Sequence, residues 1–258
     1  MVDAAKRSIR LSVGPTWGLG ETKMIEARLE FHPGILKQLV SKLLSLPPEL
    51  RPSHHSLGED EKGQLINDPM GFANSLKERS PGPYLTGDRC SYDISLAAPK
   101  PIICHGCLDV EPALAKQFMM EMASLNPIFG FACMQEERYQ RNRVTTQQGI
   151  NTIESWVGRD TQKYVPGFYW LTLLPDALVK QHDIQLAVVE AVAQEHIELE
   201  GGQRLLRFYE RPEDWQKTAA VTELCASLSG VFDVEKIRPQ LSAAKNFLDL
   251  NSMVREWK

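Results

Sequence analysis

Two segments near the start of the chain limit its fold more than anything else in it. Ile9, Leu11 and Val13 alternate with Ser8, Arg10 and Ser12, and Ile25, Ala27, Leu29 and Phe31 alternate with Glu26, Arg28, Glu30 and His32. Successive side chains on a strand point to opposite faces, so a period of two predicts strands with one buried and one wet face. Such strands belong in an antiparallel sheet. Gly14, Pro15, Gly18 and Gly20 supply the turn between them.

The period then changes. Ile35, Leu36, Leu39, Val40, Leu43 and Leu44 form one helical stripe, with Pro33 in the first turn and Pro47-Pro48 as the stop. From about 47 to 89 the patterning dissolves among prolines and glycines, and only Met70 to Lys77 reads as a short helix. Alternation returns at Cys90, Tyr92, Ile94 and Leu96, and a second strand is predicted over Ile102 to Leu108. A helix opened by Pro112, with Leu114, Phe118, Met122 and Leu125 on one face, leads to Ile128 to Met134, which is apolar on both faces like an inner strand.

Gln135 to Gln148 reads as a strand end and loop, Ile150 to Val157 as a helix, Phe168 to Leu174 as another inner strand and Pro175 to His182 as a short helix. Gln194 to Glu200 and Gln203 to Glu210 flank Gly201-Gly202, a two-residue hairpin signal. Pro212 opens a helix running to Leu228, and a last helical segment carries Ile237, Leu241, Ala244 and Leu248. This order predicts an α+β fold, a largely antiparallel sheet with helices packed on one face, in a layout open to two ferredoxin-like βαβ-type halves. One domain over residues 1–258 is expected, with the irregular segment at about 47–89 inside it.

Charge narrows the functional classes. A net charge of −4 lacks the Lys and Arg surplus of a nucleic-acid binder. The N-terminus has no apolar signal core, and the most apolar stretch, Phe168 to Val179, is broken by Thr172, Pro175 and Asp176, well short of the roughly 20 residues needed to cross a bilayer. A cytoplasmic protein with no membrane or nucleic-acid partner is expected. The five cysteines, an odd number, read as reduced and mostly buried thiols.

Cys104-His105-Gly106-Cys107 is the one metal-like or redox-like motif. A structural zinc site needs a second Cys/His pair at matching spacing, which is missing. Inside a strand, residues three apart face opposite ways, so the two sulfurs should diverge. There is no Gly-x-Ser-x-Gly elbow and no phosphate-cradling glycine loop. No catalytic, cofactor-binding or metal-binding residue is therefore expected. Carboxylates cluster at Glu59-Asp60-Glu61, at Glu136-Glu137 and along Glu195, Glu198 and Glu200. Glu198 and Glu200 share the outward face of a hairpin strand, opposite Ile197 and Leu199. Exposed acid suits a basic protein partner, where charge sets encounter rate and specificity, and Trp17 in its glycine-rich turn is a candidate anchor. The candidate partner-binding residues are Trp17, Glu59, Asp60, Glu61, Glu198 and Glu200.

The most distinctive run is Tyr164-Val165-Pro166-Gly167-Phe168-Tyr169-Trp170-Leu171-Thr172-Leu173-Leu174-Pro175. A Pro-Gly-x-Tyr-Trp strand, a short helix and a Gly-turn hairpin resemble the immunity proteins of type VI secretion and other polymorphic-toxin systems. The likeness is best over Val165 to Trp215, with the Trp17-Gly18 turn as a fainter echo. It implies a cytoplasmic bacterial protein that binds one cognate secreted toxin, such as a nuclease, and occludes its active site without catalysis. Two other readings stand beside it: a metal or redox enzyme built on Cys104, His105 and Cys107, and an adaptor or chaperone that loads an effector for secretion.

Overall fold

The computed structural model describes residues 24–56, 63–77, 82–96, 101–148, 151–241, 244 and 246–257. The strand expected at Ile9 to Val13, and Trp17, Glu59, Asp60 and Glu61, lie outside these residues. In chain order the described elements begin with β1 (Ile25–Phe31), α1 (Leu36–Leu44), β2 (His54–Ser56), β3 (Gln64–Leu65), α2 (Pro69–Ser75), β4 (Tyr84–Thr86), β5 (Cys90–Ser95), β6 (Ile102–Leu108), α3 (Pro112–Ala123) and β7 (Phe129–Met134). They continue with α4 (Gln135–Asn142), β8 (Arg143–Gln148), β9 (Asn151–Trp156), β10 (Leu171–Pro175), α5 (Asp176–Gln181), α6 (Leu186–Val192), β11 (Glu195–Leu199), β12 (Gln203–Arg207), α7 (Ala220–Ser227), α8 (Arg238–Leu241) and α9 (Phe247–Val254).

Ten strands make one antiparallel sheet in the order β11-β12-β10-β7-β1-β6-β5-β4-β2-β3. The α+β class and the antiparallel sheet are as expected. Within the sheet, β1, α1, β5, β6, α3 and β7 form a ferredoxin-like unit with strand order β7-β1-β6-β5. The segment from β2 to β4 is inserted between α1 and β5 and widens one side, so the irregular stretch supplies short strands rather than a bare loop. The β10, β12 and β11 strands widen the other.

One face of the central strands is apolar. Ile25, Ala27, Leu29 and Phe31 lie on it with Cys104, Tyr92 and Ile94, all buried. The Leu36, Leu39, Val40, Leu43 and Leu44 stripe of α1 and Ala115, Phe118, Met119 and Met122 of α3 join the same core. Each Leu or Phe removed from water there contributes about 1.5–3 kcal/mol. The rings of Tyr92 and Phe118 stack at 5.8 Å, and a Cβ on Gly106 would stand 3.2 Å from the Tyr92 ring, so that strand position favours glycine. Tyr92 keeps its hydroxyl satisfied by donating to the Leu50 carbonyl at 2.7 Å.

The opposite face does not match the wet face predicted for Glu26, Arg28 and Glu30. Glu26 and Glu30 are each 4% exposed, because β1 is the middle of a broad sheet and further chain lies over it. The cover begins with α4, where a strand end and loop were predicted. After it comes the β8–β9 hairpin, where a helix was predicted over Ile150 to Val157. β-Branched Val144, Thr145, Thr152 and Ile153 favour the strand. The hairpin docks on α4 through Tyr139 edge-on to Trp156 at 5.5 Å, with Arg138 over the Trp156 ring and Arg143 over the Tyr139 ring.

Two helical expectations near the C-terminus also change. The Pro212 helix is a short 3-10 turn, Pro212–Gln216, followed by a separate α7. Between them the Thr218 hydroxyl accepts from the Ala220 N–H at 3.1 Å, a local bond that competes with a continuous helix. Likewise Asn246 caps α9 by accepting from the Asp249 N–H, separating it from α8 and leaving Leu248 exposed. Val144, Val157, Tyr164, Phe232, Ile237, Leu250 and Val254 form a second small core there. No helix among the described residues is long and apolar enough to cross a membrane.

Candidate functional site

The polar face of β1 gathers ionisable groups from β1 itself, β6, α4 and the connection between β9 and β10. The β1–β6 register sets Glu26 opposite Cys107 and Arg28 opposite His105, so His105 and Cys107 share the face of Glu26. Cys104 points the other way and is fully buried. The expected divergence of Cys104 and Cys107 is therefore present, and a Cys-x-x-Cys pair cannot form a two-sulfur site here. The Glu26 carboxylate, the His105 ring and the Cys107 sulfur lie within 4.8 Å of one another. These are the described residues that could hold a metal ion.

Arg138 on α4 completes the cluster. Its Nη1 donates to Glu26 Oε2 at 2.8 Å and to His105 Nε2 at 3.0 Å, while Gln135 donates to Glu26 Oε1 at 3.0 Å. Guanidinium has no acceptor capacity, so His105 Nε2 presents its lone pair. Burial works against ionising Glu26, but the groups around it, the Arg138 guanidinium among them, overcome that and hold its carboxyl at about 2. Burial, with Glu26 nearby, pushes the Cys107 thiol up to about 11, a protonated thiol at neutral pH.

Deeper along β1 lies a second charged group. Arg28 donates to Glu30 at 3.1 Å, and Glu30 also accepts from the Thr161 hydroxyl at 3.3 Å. Arg28, Arg138 and Arg159 line a small cavity with Glu30, Asn142 and Tyr169, which has room for about one water molecule. Burial, together with the positive Arg28 and Arg138 beside it, lowers Arg159 to about 10.

Beyond the cavity the polar belt becomes structural. Glu137, grouped in the sequence with exposed acids, is fully buried: it accepts from Arg141 Nε at 3.1 Å and from the Trp170 N–H at 3.4 Å. Arg141 also donates to the Tyr209 hydroxyl at 2.9 Å. Tyr169 donates to Asn142 at 2.5 Å, and Asn142 in turn donates to the Val157 carbonyl. Phe168, Tyr169 and Trp170 of the distinctive run are buried here, so that motif builds the fold.

The remaining candidates sit apart from this belt. Glu198 and Glu200 are exposed at the β11–β12 hairpin, on the last strand of the sheet, and make no ion pair among the described residues. Gly201 and Gly202, at φ 73° and 71°, turn the chain beside them, with Glu200 making the loop three residues long. Glu195 faces the other way and is tied to Lys116 at 2.6 Å and Arg207 at 2.9 Å. Sequence reasoning thus placed Glu198 and Glu200 correctly on an exposed hairpin face and missed Glu26, Arg28, Arg138 and Arg159. A usable signal was present in His105-Gly106-Cys107, since residues two apart on a strand share a face.

Comparisons of the chain with protein-family models, with curated proteins and with solved structures find no match.

Proposed function

We propose that this chain is the immunity partner of a secreted bacterial toxin, as in type VI secretion or related polymorphic-toxin systems: a cytoplasmic protein that binds the toxin and covers its active site without chemistry of its own. The reading starts from the Tyr164–Pro175 run. The structural observation that carries it is the end of the sheet at β11, where Glu198 and Glu200 project into solvent unpaired among the described residues. No described strand pairs with the outer edge of β11, so backbone donors and acceptors lie beside those carboxylates.

Such an edge suits a basic partner. Carboxylates at the rim speed encounter and set register, and for a nuclease toxin they stand where substrate phosphates would. Affinity then comes from a few desolvated anchors within an interface of roughly 1,600 Å². The test is co-expression with the toxin encoded beside the chain's own gene, scored for growth rescue and followed by titration of the purified pair. Rescue and a tight complex are expected. Glu198→Lys with Glu200→Lys should weaken binding about tenfold at low salt and flatten its salt dependence. Toxicity unrelieved by the wild-type chain sinks the proposal, and rescue with an unchanged salt slope moves the interface away from this hairpin.

A further inference from the structure

We infer that Glu26, His105 and Cys107 form a binding site for a zinc-class divalent cation, with Arg138 as its internal competitor. The inference is independent of the immunity reading.

Three observations meet at this point. The donor set is one carboxylate oxygen, one imidazole nitrogen and one sulfur, a mixture that favours zinc or its first-row neighbours over magnesium or calcium. The spacing fits: two ligands about 2.0–2.2 Å from one tetrahedral ion stand roughly 3.4 Å apart, and Glu26 Oε2 lies 3.7 Å from His105 Nε2. That distance is too long for a hydrogen bond between them. The ligands are also mounted rigidly. Glu26 and His105 come from paired inner strands, and Cys107 sits directly across from Glu26.

Arg138 gives the site its particular character. Its Nη1 contacts the same two atoms, Glu26 Oε2 and His105 Nε2, that an ion would bridge. A guanidinium therefore holds the cation position, and a metal must displace it. The displaced side chain keeps a resting place, because its carbon already lies 4.4 Å from the Trp156 ring centre. The cluster is reachable from water: the His105 side chain is 27% exposed and Cys107 is half-buried. Neighbouring β5 leaves this face open at Asp93, which pairs in register with His105. With three protein ligands, solvent takes the fourth position.

The experiment titrates metal-stripped, full-length protein with Zn²⁺, and with Co²⁺ as a spectroscopic probe. Saturable binding of one ion per chain is expected, with a sulfur-to-cobalt charge-transfer band in the Co²⁺ form. His105→Ala and Cys107→Ser should each weaken binding on the order of 100-fold, with Cys107→Ser abolishing the band, whereas Cys104→Ser leaves both unchanged. Arg138→Met should tighten binding about tenfold by removing the competitor. Circular dichroism of each variant separates loss of the site from loss of the fold. Absence of binding by folded wild-type protein at millimolar zinc overturns the inference. So does binding that survives Cys107→Ser, or binding that weakens in folded Arg138→Met.

Discussion

Ala27 and Leu29 on one face of β1, and Glu26 and Glu30 on the other, are shielded from water almost equally, but they are held by different physics. The apolar face is stabilised by area and packing, which act without direction and tolerate any side chain of suitable volume. The polar face is tolerable only because each charge has a specific partner: Glu26 has Arg138, Glu30 has Arg28, and Glu137 has Arg141. Removing part of the first leaves a void. Removing part of the second leaves an uncompensated charge, and the two faces should fail in different ways.

The largest effect is expected at Arg141. Arg141→Met strands the fully buried Glu137, and near pH 8 this should cost about 3–5 kcal/mol in chemical denaturation. Adding Glu137→Leu should recover most of that loss, since a buried pair replaced by apolar groups of similar volume is often neutral. A double variant as unstable as the single one would show that the belt contributes more than mutual compensation. On the apolar face Leu29→Ala should cost ~3 kcal/mol through its cavity, and Leu29→Met less than about 1.5 kcal/mol. No second-site change should rescue it unless it restores volume, which separates the two faces cleanly.

This contrast also explains what the sequence made legible. Ile25, Leu29, Cys90, Tyr92 and the α1 and α3 stripes were readable because their periodicity is local and their burial follows from it. Glu26, Arg28 and Glu30 carried an equally clear period of two, and it misled: alternation identifies which residues share a face, while whether that face meets water depends on chain more than a hundred residues away. α4 was missed for the same reason. Its Gln135–Asn142 sequence is almost wholly polar, and its inward side is built from Glu137, Arg138, Arg141 and Asn142 instead of an apolar stripe. The hairpin acids Glu198 and Glu200 were found because a Gly-Gly turn fixes both strand and face locally. The Glu26–His105–Cys107 cluster was half legible, in the i, i+2 spacing of His105 and Cys107. Its third member comes from another strand by a register that only the fold supplies.

Acidity offers a finer probe of the polar face. Burial raises the Glu137 carboxyl from 4.5 to about 7, against the pull of Arg141. Between those values the unfolded chain gives up this proton before the folded one does. The group's contribution therefore falls as pH rises from about 4.5 to about 7, and is level on either side. Glu137→Gln removes this dependence. The stability of the wild type relative to Glu137→Gln should drop by on the order of 3 kcal/mol across that window. A difference independent of pH would mean that Glu137 stays ionised throughout and that Arg141 outweighs its burial. Smaller still, Tyr169→Phe deprives buried Asn142 Oδ1 of its donor and should cost about 1–2 kcal/mol, with no pH dependence near neutrality.

The smallest effect on folding is expected where the proposed effect on binding is greatest. Glu198 and Glu200 are exposed and without ion-pair partners among the described residues, so neither the area argument nor the pairing argument applies to them. Surface substitutions of this kind usually stay within about 0.5 kcal/mol, and Glu198→Lys with Glu200→Lys should leave the denaturation midpoint nearly unchanged. That neutrality makes the hairpin a clean test: a loss of toxin binding in a variant of unaltered stability is assignable to the surface itself. A marked loss of stability would place these two carboxylates in the same class as Glu137, as members of a folded charge network. The edge of β11 would then no longer be a free docking surface.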